Sequence, residues 1–309
     1  MDNRKGVVGP KRTVRTVEKI AETRQFMADN PKMPLSKASQ NLNISKSTLR
    51  NIVKKDLKMH AYKIQLLHKI PDDAYIKRLE FCNEIAELTS TGNLDPNLII
   101  FTDEAYFALE GYVNKQNYRI WGTENPNEFE VEPLHSKKLL VWCALYSGGI
   151  YGPIFYEEGQ TCNQDLYLPV LQEFFDYAKG MDAIDEHWFM QDGAPPHRVH
   201  KVFDLINEYY DERVIALYYP KNKEMGIDWP PYSPDLNACD FFLWGYLKDR
   251  VYKEKIRDMD HLKERITEEI NSIQTGLLRR VVSNFQTRCC IVAEQNGSHC
   301  ENILKKATK

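Results

Sequence analysis

The spacing of apolar positions changes along the chain, and each change marks a different kind of element. Near the start Ile20, Ala21 and Phe26 recur at helical intervals from Val17 until Asn30 and Pro31 interrupt them. Leu35, Ala38 and Leu42 repeat the pattern over a shorter stretch after Pro34. Asn43 suits the left-handed conformation of a tight turn, and Ser45 suits the cap of a third helix. On that helix Leu49, Ile52 and Val53 fall on an inward face, which leaves Lys46, Ser47, Thr48, Arg50, Asn51, Lys54 and Lys55 outward. Short helices with a tight turn before the last make a helix-turn-helix. Ile76, Leu79, Phe81, Ile85 and Leu88 then predict a longer helix, closed by Thr91, Gly92, Asn93 and Pro96.

From residue 98 the apolar pattern becomes continuous. Leu98 to Phe101 reads as a buried strand ending in Thr102-Asp103-Glu104. Further strands are predicted over 118–121, 138–146 and 150–156, the last two forming a hairpin through Ser147-Gly148-Gly149. A helix after Gly159 carries Val170, Leu171, Phe174 and Phe175, with Pro169 near its opening turn. Trp188-Phe189-Met190 is the next strand, stopped by Gly193, Pro195 and Pro196. Asp192 is thereby set at a strand's carboxyl end, where open α/β sheets hold ligands. A helix starting near His197 buries Val199, Val202, Phe203 and Ile206, and Val214 to Tyr218 supplies one more strand. Leu243, Trp244, Leu247 and Val251 form the core stripe of a later helix. Asp240, three and four residues before Leu243 and Trp244, is predicted to share that buried face. An ionised carboxylate there needs a metal or a cation. Residues 259 to 309 read as two amphipathic helices broken around Thr275-Gly276.

Charge sharpens this division. Of the 309 residues, 42% are hydrophobic and 28% charged, ordinary values for a globular chain, with a net charge of −3. Residues 1 to 70 hold 16 Lys/Arg against 5 Asp/Glu, a net of +11, and the rest is therefore −14. A basic head on an acidic body points to nucleic acid as the partner. The expected organisation is a basic arm over 1–15, a helix-turn-helix domain over 16–58, a linker and helix over 59–96, a catalytic domain over 97–255 and C-terminal helices over 256–309. Lys11, Arg12 and Arg15 in the arm join the outward set of the third helix as DNA contacts. No apolar run approaches the roughly 18 residues of a membrane span, so neither membrane insertion nor secretion is expected. The seven cysteines are odd in number and never spaced Cys-x-x-Cys. Buried or idle thiols in a reducing compartment are therefore expected rather than a zinc site built from Cys289, Cys290, His299 and Cys300.

Three acids carry the candidate chemistry. Asp103 and Asp192 at strand ends and Asp240 on a helix converge on one edge of a mixed sheet if the elements fold as read. Such a cluster of hard oxygen ligands suits Mg²⁺ or Mn²⁺. Two such ions serve an in-line displacement at phosphorus without a protein nucleophile. A Gly-x-Ser-x-Gly elbow, a Gly-x-x-x-x-Gly-Lys phosphate loop and a His-Glu-x-x-His helix are all missing.

Thr102-Asp103-Glu104-Ala105, Gln191-Asp192-Gly193-Ala194-Pro195-Pro196-His197 and the run from Trp229 through Ser233-Pro234-Asp235-Leu236-Asn237 and Asp240 to Lys248 resemble the motifs of the mariner superfamily of DNA transposases, especially its insect-type members. The resemblance spans nearly the whole chain. It implies a ribonuclease H-like α/β catalytic domain behind an all-α helix-turn-helix domain, two divalent metals, and excision of a mobile element followed by joining to target DNA. Asp103, Asp192 and Asp240 match the three metal-binding acids. Asp235 and Glu104 match neighbouring motif positions, and His197 matches a motif residue with a supporting role. Family members usually carry two helix-turn-helix units joined by a Gly/Arg/Pro linker. Gly9-Pro10-Lys11-Arg12 resembles that linker with almost nothing before it, so the expectation is that the first unit is absent. The 48 positions from Asp192 to Asp240 exceed the interval in much of the superfamily, with the excess around Tyr219 to Asp228. The expected partner is double-stranded DNA, with a homodimer as an open option, and the expected location is the nucleus. The alternative from another class is a transposase-derived DNA-binding protein without catalysis. A plain ribonuclease leaves the basic head unexplained.

Overall fold

The computed structural model describes residues 15–31, 33–61, 69–111, 136–181, 184–301 and 303–304. The basic arm with Lys11 and Arg12 and the strand expected over 118–121 lie outside the described residues. The chain forms two compact units, Met1–Leu66 and Leu67–Lys309.

The first unit contains α1 (Val17–Asp29), α2 (Leu35–Asn41) and α3 (Lys46–Asn51), the last running on into a π-helical turn, Ile52–Asp56. Thr16 caps α1 by accepting from the Lys19 amide at 3.2 Å. Ser45 caps α3 by accepting from the Thr48 amide at 3.1 Å. Asn43 takes φ 50 in the intervening turn, a conformation asparagine tolerates better than most residues. Ala38, Leu42, Leu49 and Val53 form the small core, with Phe26, Met27 and Leu35 packed against it.

In the second unit α4 (Asp72–Thr91) leads through a short turn into β1 (Ile99–Ala108), followed by β2 (Lys138–Tyr146) and β3 (Gly149–Phe155). Then come α5 (Gln164–Ala178), β4 (Trp188–Met190), α6 (His200–Tyr210), β5 (Val214–Ile215) and α7 (Tyr219–Lys223). A π-helical turn, Cys239–Leu243, opens α8 (Trp244–Val251), and α9 (Met259–Asn271) and α10 (Thr275–Glu294) follow. The sheet order is β3-β2-β1-β4-β5, with the β3–β2 and β2–β1 pairs antiparallel and the β1–β4 and β4–β5 pairs parallel.

Because side chains alternate along a strand, β1 feeds two cores. Phe101, Ala105 and Phe107 pack with α4, α8, α9 and α10 on one face, while Ile100 and Phe189 pack with α5 and α6 on the other. The outer helices therefore complete the sheet's own core, as the contacts of Phe285 in α10 with Phe101 (ring centroids 5.3 Å) and Phe81 (6.4 Å) make plain.

Three local expectations are corrected. Pro169 is the sixth residue of α5, not near its opening turn, because Asn163 caps the helix earlier by accepting from the Leu166 amide at 3.0 Å. On α4 the buried face is Ala74, Arg78, Phe81, Cys82 and Ile85, and Ile76 is 61% exposed. The strand expected over Val214 to Tyr218 ends at Ile215, after which Tyr218 turns the chain at φ 68.

Candidate active site

β1 does not stop at its acid. It stays paired with β2 from Phe101 to Ala108, so Asp103 sits within the strand rather than at its end. Its other partner, β4, ends at Met190, which faces Phe101. Continuing that parallel register by two residues brings Asp192 level with Asp103. Thr102 donates to the Met190 carbonyl at 2.8 Å and fixes the two strands where they part.

The third acid is tied to the first by backbone anchors. Asn237, fully buried, donates to the Thr102 carbonyl at 3.4 Å, and its own carbonyl oxygen Oδ1 accepts from the Cys239 amide at 3.0 Å. The Cys239 thiol donates to the Phe101 carbonyl at 3.3 Å. The π turn then changes which side chain is inward. Its wider spacing sets Cys239 beneath Leu243 and Trp244 and leaves Asp240 exposed. The expectation that Asp240 shares the buried face is thus corrected: it opens into a recess lined also by Asp192, Gly193, Arg198, Tyr218, Trp229, Tyr232 and Ser233. Gly193 leaves room at this rim for Leu217, whose Cδ2 would stand 2.4 Å from a Cβ there and would have to move.

The three acids feel one another. Burial raises the Asp103 carboxyl well above its ordinary value, and the charges of Asp240, Asp192 and Glu104 push the same way, against a 2.7 Å hydrogen bond donated by Trp244 Nε1. Asp240 is pushed up to about 7 by the protein crowded around the recess and by Asp192, with Lys248 pulling it down. Asp192 goes the other way. Partial burial opposes its charge, but His197 outweighs burial, helped by the Ala194 amide at 2.9 Å and by Arg198. His197 Nδ1 lies 2.7 Å from Asp192 Oδ1. Burial works against a charged imidazole, yet Tyr167, Glu104 and Asp192 together lift His197 well above its ordinary value. Tyr167 stacks on its ring at 4.3 Å and donates to Gln191, whose amide donates to the His197 carbonyl at 2.9 Å.

An all-carboxylate set that keeps Asp103 and Asp240 raised despite the partly buried Lys248 fits a hard divalent cation. The oxygens of the three acids do not all fall within 4.8 Å of one another, as the two tighter donor clusters among the described residues do. Those clusters are Glu104–Cys162–His197 and Asp235–His299–Glu301. Cys289, Cys290, His299 and Cys300 form no such cluster among the described residues.

Asp235 has a different task from the acids around it. Arg78 makes a bidentate pair with it at 2.7 Å through both nitrogens, with both side chains fully buried. Arg78 also donates to the Gly297 carbonyl at 2.7 Å, to Ser233 at 2.8 Å and to the Tyr232 carbonyl at 3.1 Å. Burial alone would raise the Asp235 carboxyl, but Arg78 holds it below the usual carboxylate range. Asp228 is also committed, accepting from the Tyr218 amide at 2.6 Å.

In the helix-turn-helix unit Lys46, Ser47, Arg50, Asn51, Lys54 and Lys55 line one groove on the exposed side of α3 and its π turn. Thr48 is drawn back by its contact with Ser45 Oγ at 2.8 Å. Arg15 lies apart from this set, its guanidinium paired with Asp56 at the end of the π turn. Sequence reasoning missed Arg78, Asn237, Trp244 and Cys162. For Asn237 and Trp244 the signal was position within the motif, while for Arg78 and Cys162 there was none.

A five-stranded mixed sheet in this order, with one acid in its central strand, a second just past the end of the neighbouring strand and a third in the turn that opens a flanking helix, defines the ribonuclease H-like class, here with a helical unit earlier in the chain. No protein-family model matches the chain. In sequence it is similar to the transposable element Tc3 transposase of Caenorhabditis elegans, 26% identical over 262 residues that cover 83% of this chain and 72% of that one. In fold it is similar to a pre-cleavage Mos1 transpososome structure (TM-score 0.73, 15% identity, 97% of this chain and 83% of that). It is also similar to the catalytic domain of Mos1 mariner transposase (TM-score 0.55, 16% identity, 77% of this chain and all of that). The sequence likeness and the fold likeness are thus both to transposases.

Proposed function

We propose that the chain is a cut-and-paste DNA transposase that cleaves the phosphodiesters at element ends and joins the freed strands to target DNA. The observation that carries this reading is the electrostatic coupling of three acids, Asp192 and Asp240 lining one recess and the buried Asp103 feeling the charge of both. The Tc3 likeness and the Mos1 complexes with transposon ends support it. So do the Mos1 structures with Mn or Mg, for a divalent metal. Asp103, Asp192 and Asp240 would hold the metal, and the in-line displacement at phosphorus is the chemistry that two such ions serve. Bound there, the ions would activate the attacking oxygen and stabilise the leaving one.

The protein's own residues prepare the site. Trp244 orients Asp103, while His197 and the Ala194 amide orient Asp192. Arg198 lines the recess with a buried Nε that has no acceptor among the described residues, and so suits a phosphate oxygen. The exposed Tyr218 and Tyr232 offer faces to bases next to the scissile bond. The groove of α3 supplies the sequence reader, and the expected place of action is the nucleus.

The test is incubation of the full chain with Mg²⁺ and duplex DNA carrying the inverted repeats that bracket its coding sequence. Nicks at the repeat ends are expected, and each of Asp103→Asn, Asp192→Asn and Asp240→Asn should abolish them while DNA is still bound. Binding without any cleavage by the natural chain would instead support a transposase-derived DNA-binding protein.

A further inference from the structure

On the other side of β1 from the acid recess a second donor set converges, with different chemistry. Glu104 follows Asp103 and so points to the opposite face. There Cys162 Sγ lies 3.5 Å from Glu104 Oε1, and both Glu104 oxygens lie 3.4 Å from His197 Nε2. All three ligand atoms fall within 4.8 Å of one another. The imidazole–carboxylate gap is long for a charge-assisted hydrogen bond, which closes to about 2.7–2.9 Å. It fits two ligands on one ion. With metal–nitrogen and metal–oxygen bonds of about 2.0–2.1 Å and a metal–sulfur bond of about 2.3 Å, the tetrahedral edges are about 3.4 Å for N to O and about 3.5 Å for S to O.

The surroundings are also those of a metal-binding histidine. Its other nitrogen, Nδ1, faces Asp192 at 2.7 Å, giving the carboxylate–histidine arrangement that fixes the tautomer and aims Nε2 at an ion. Tyr167 stacked at 4.3 Å holds the ring plane. The Tyr156 hydroxyl stands 3.6 Å from Cys162 Sγ. A thiol and an imidazole favour zinc or cobalt over magnesium, so this set and the acid recess select different metals.

We propose that Glu104, Cys162 and His197 form a zinc-binding site that locks His197, and through it Asp192, in position. On binding, the Cys162 thiol gives its proton to solvent and the thiolate takes the metal. His197 gives up its Nε2 proton to solvent, binds as neutral imidazole through Nε2 and keeps its remaining proton on Nδ1 towards Asp192.

The test uses the reduced, metal-free full chain titrated with Co²⁺, because only a thiolate ligand gives a sulfur-to-cobalt charge-transfer band in the near ultraviolet. One equivalent should develop the band, Zn²⁺ should bleach it and excess Mg²⁺ should not. Cys162→Ser should remove the band and weaken Zn²⁺ binding at least tenfold, and an unchanged metal-free melting temperature and circular dichroism would show that this variant folds. Cys162→Ala provides a second probe of the same loss. The band should persist in Asp103→Asn/Asp240→Asn, which separates this site from the acid recess and makes the result independent of any DNA activity. Absence of the band, its survival in both Cys162 variants, or its loss in the double Asp variant would overturn the proposal.

Discussion

Replacing Arg78 by Met would leave the Asp235 carboxylate buried without the cation that faces it. Removing one partner of a buried pair costs about 3–5 kcal/mol, so urea unfolding of Arg78→Met should show a loss of that order. The pH dependence gives a sharper test. Asp235 has a folded-state value below its unfolded one, so it contributes stability above the unfolded carboxylate value, lost as pH falls through the folded one. Without Arg78, burial should raise that value, and protonation should then relieve the variant. The stability gap between natural chain and variant should narrow on acidification, and a constant gap would show that the pair is not what holds the loop. At Asp103 the opposite holds. Asp103→Asn removes a buried charge crowded by Asp240 and Asp192, so in a chelator it should raise the melting temperature, by ~1 kcal/mol or more of stability, while ending cleavage. At this scale the acids were legible because they stand in motifs bounded by strand and turn signals. Arg78 was not, because a lone arginine in a helical pattern reads as a solvated side chain. Its burial depends on a loop 155 residues away.

Among elements, α3 gave the clearest sequence signal and has the most local explanation. Its cap, turn and inward stripe need no information from elsewhere in the chain. Ser45→Ala should cost about 1 kcal/mol of helix stability, read as faster amide exchange at Thr48 and Leu49. Lys54 and Lys55 point outward beside this stripe. Replacing both by Ala should weaken binding to all duplexes alike and flatten the salt slope by about 0.9 for each phosphate no longer neutralised. An unchanged slope would remove them from the interface. The elements misjudged from sequence are those whose geometry is set by partners. β1 continues past its acid because β2 goes on pairing with it, and α5 starts early because a single asparagine caps it. The π turn before α8 re-aims Asp240 in a way that a 3.6-residue pattern cannot express.

For the catalytic unit taken as a body, strand order could not be read from apolar runs, since parallel and antiparallel neighbours bury the same side chains. Nor could the role of α10, which looks amphipathic and peripheral but puts Phe285 against Phe101 and Phe81. A chain ending before Thr275 should therefore lose cooperative unfolding and bind a dye for exposed apolar surface, rather than persist as a trimmed but folded nuclease. The way Arg78 is held carries this further. The carbonyl of Gly297 and the amide of Cys300 complete the cage around Arg78 and Asp235, and residue 297 must be glycine because a Cβ would stand 2.0 Å from the Tyr75 carbonyl oxygen. The loop leading to Asp240 is therefore clamped by residues some sixty positions further along the chain, so a variant that breaks this cage should loosen the third acid while leaving Asp103 and Asp192 on their own anchors. Residues far along the chain from the recess thus govern the loop that carries its third acid.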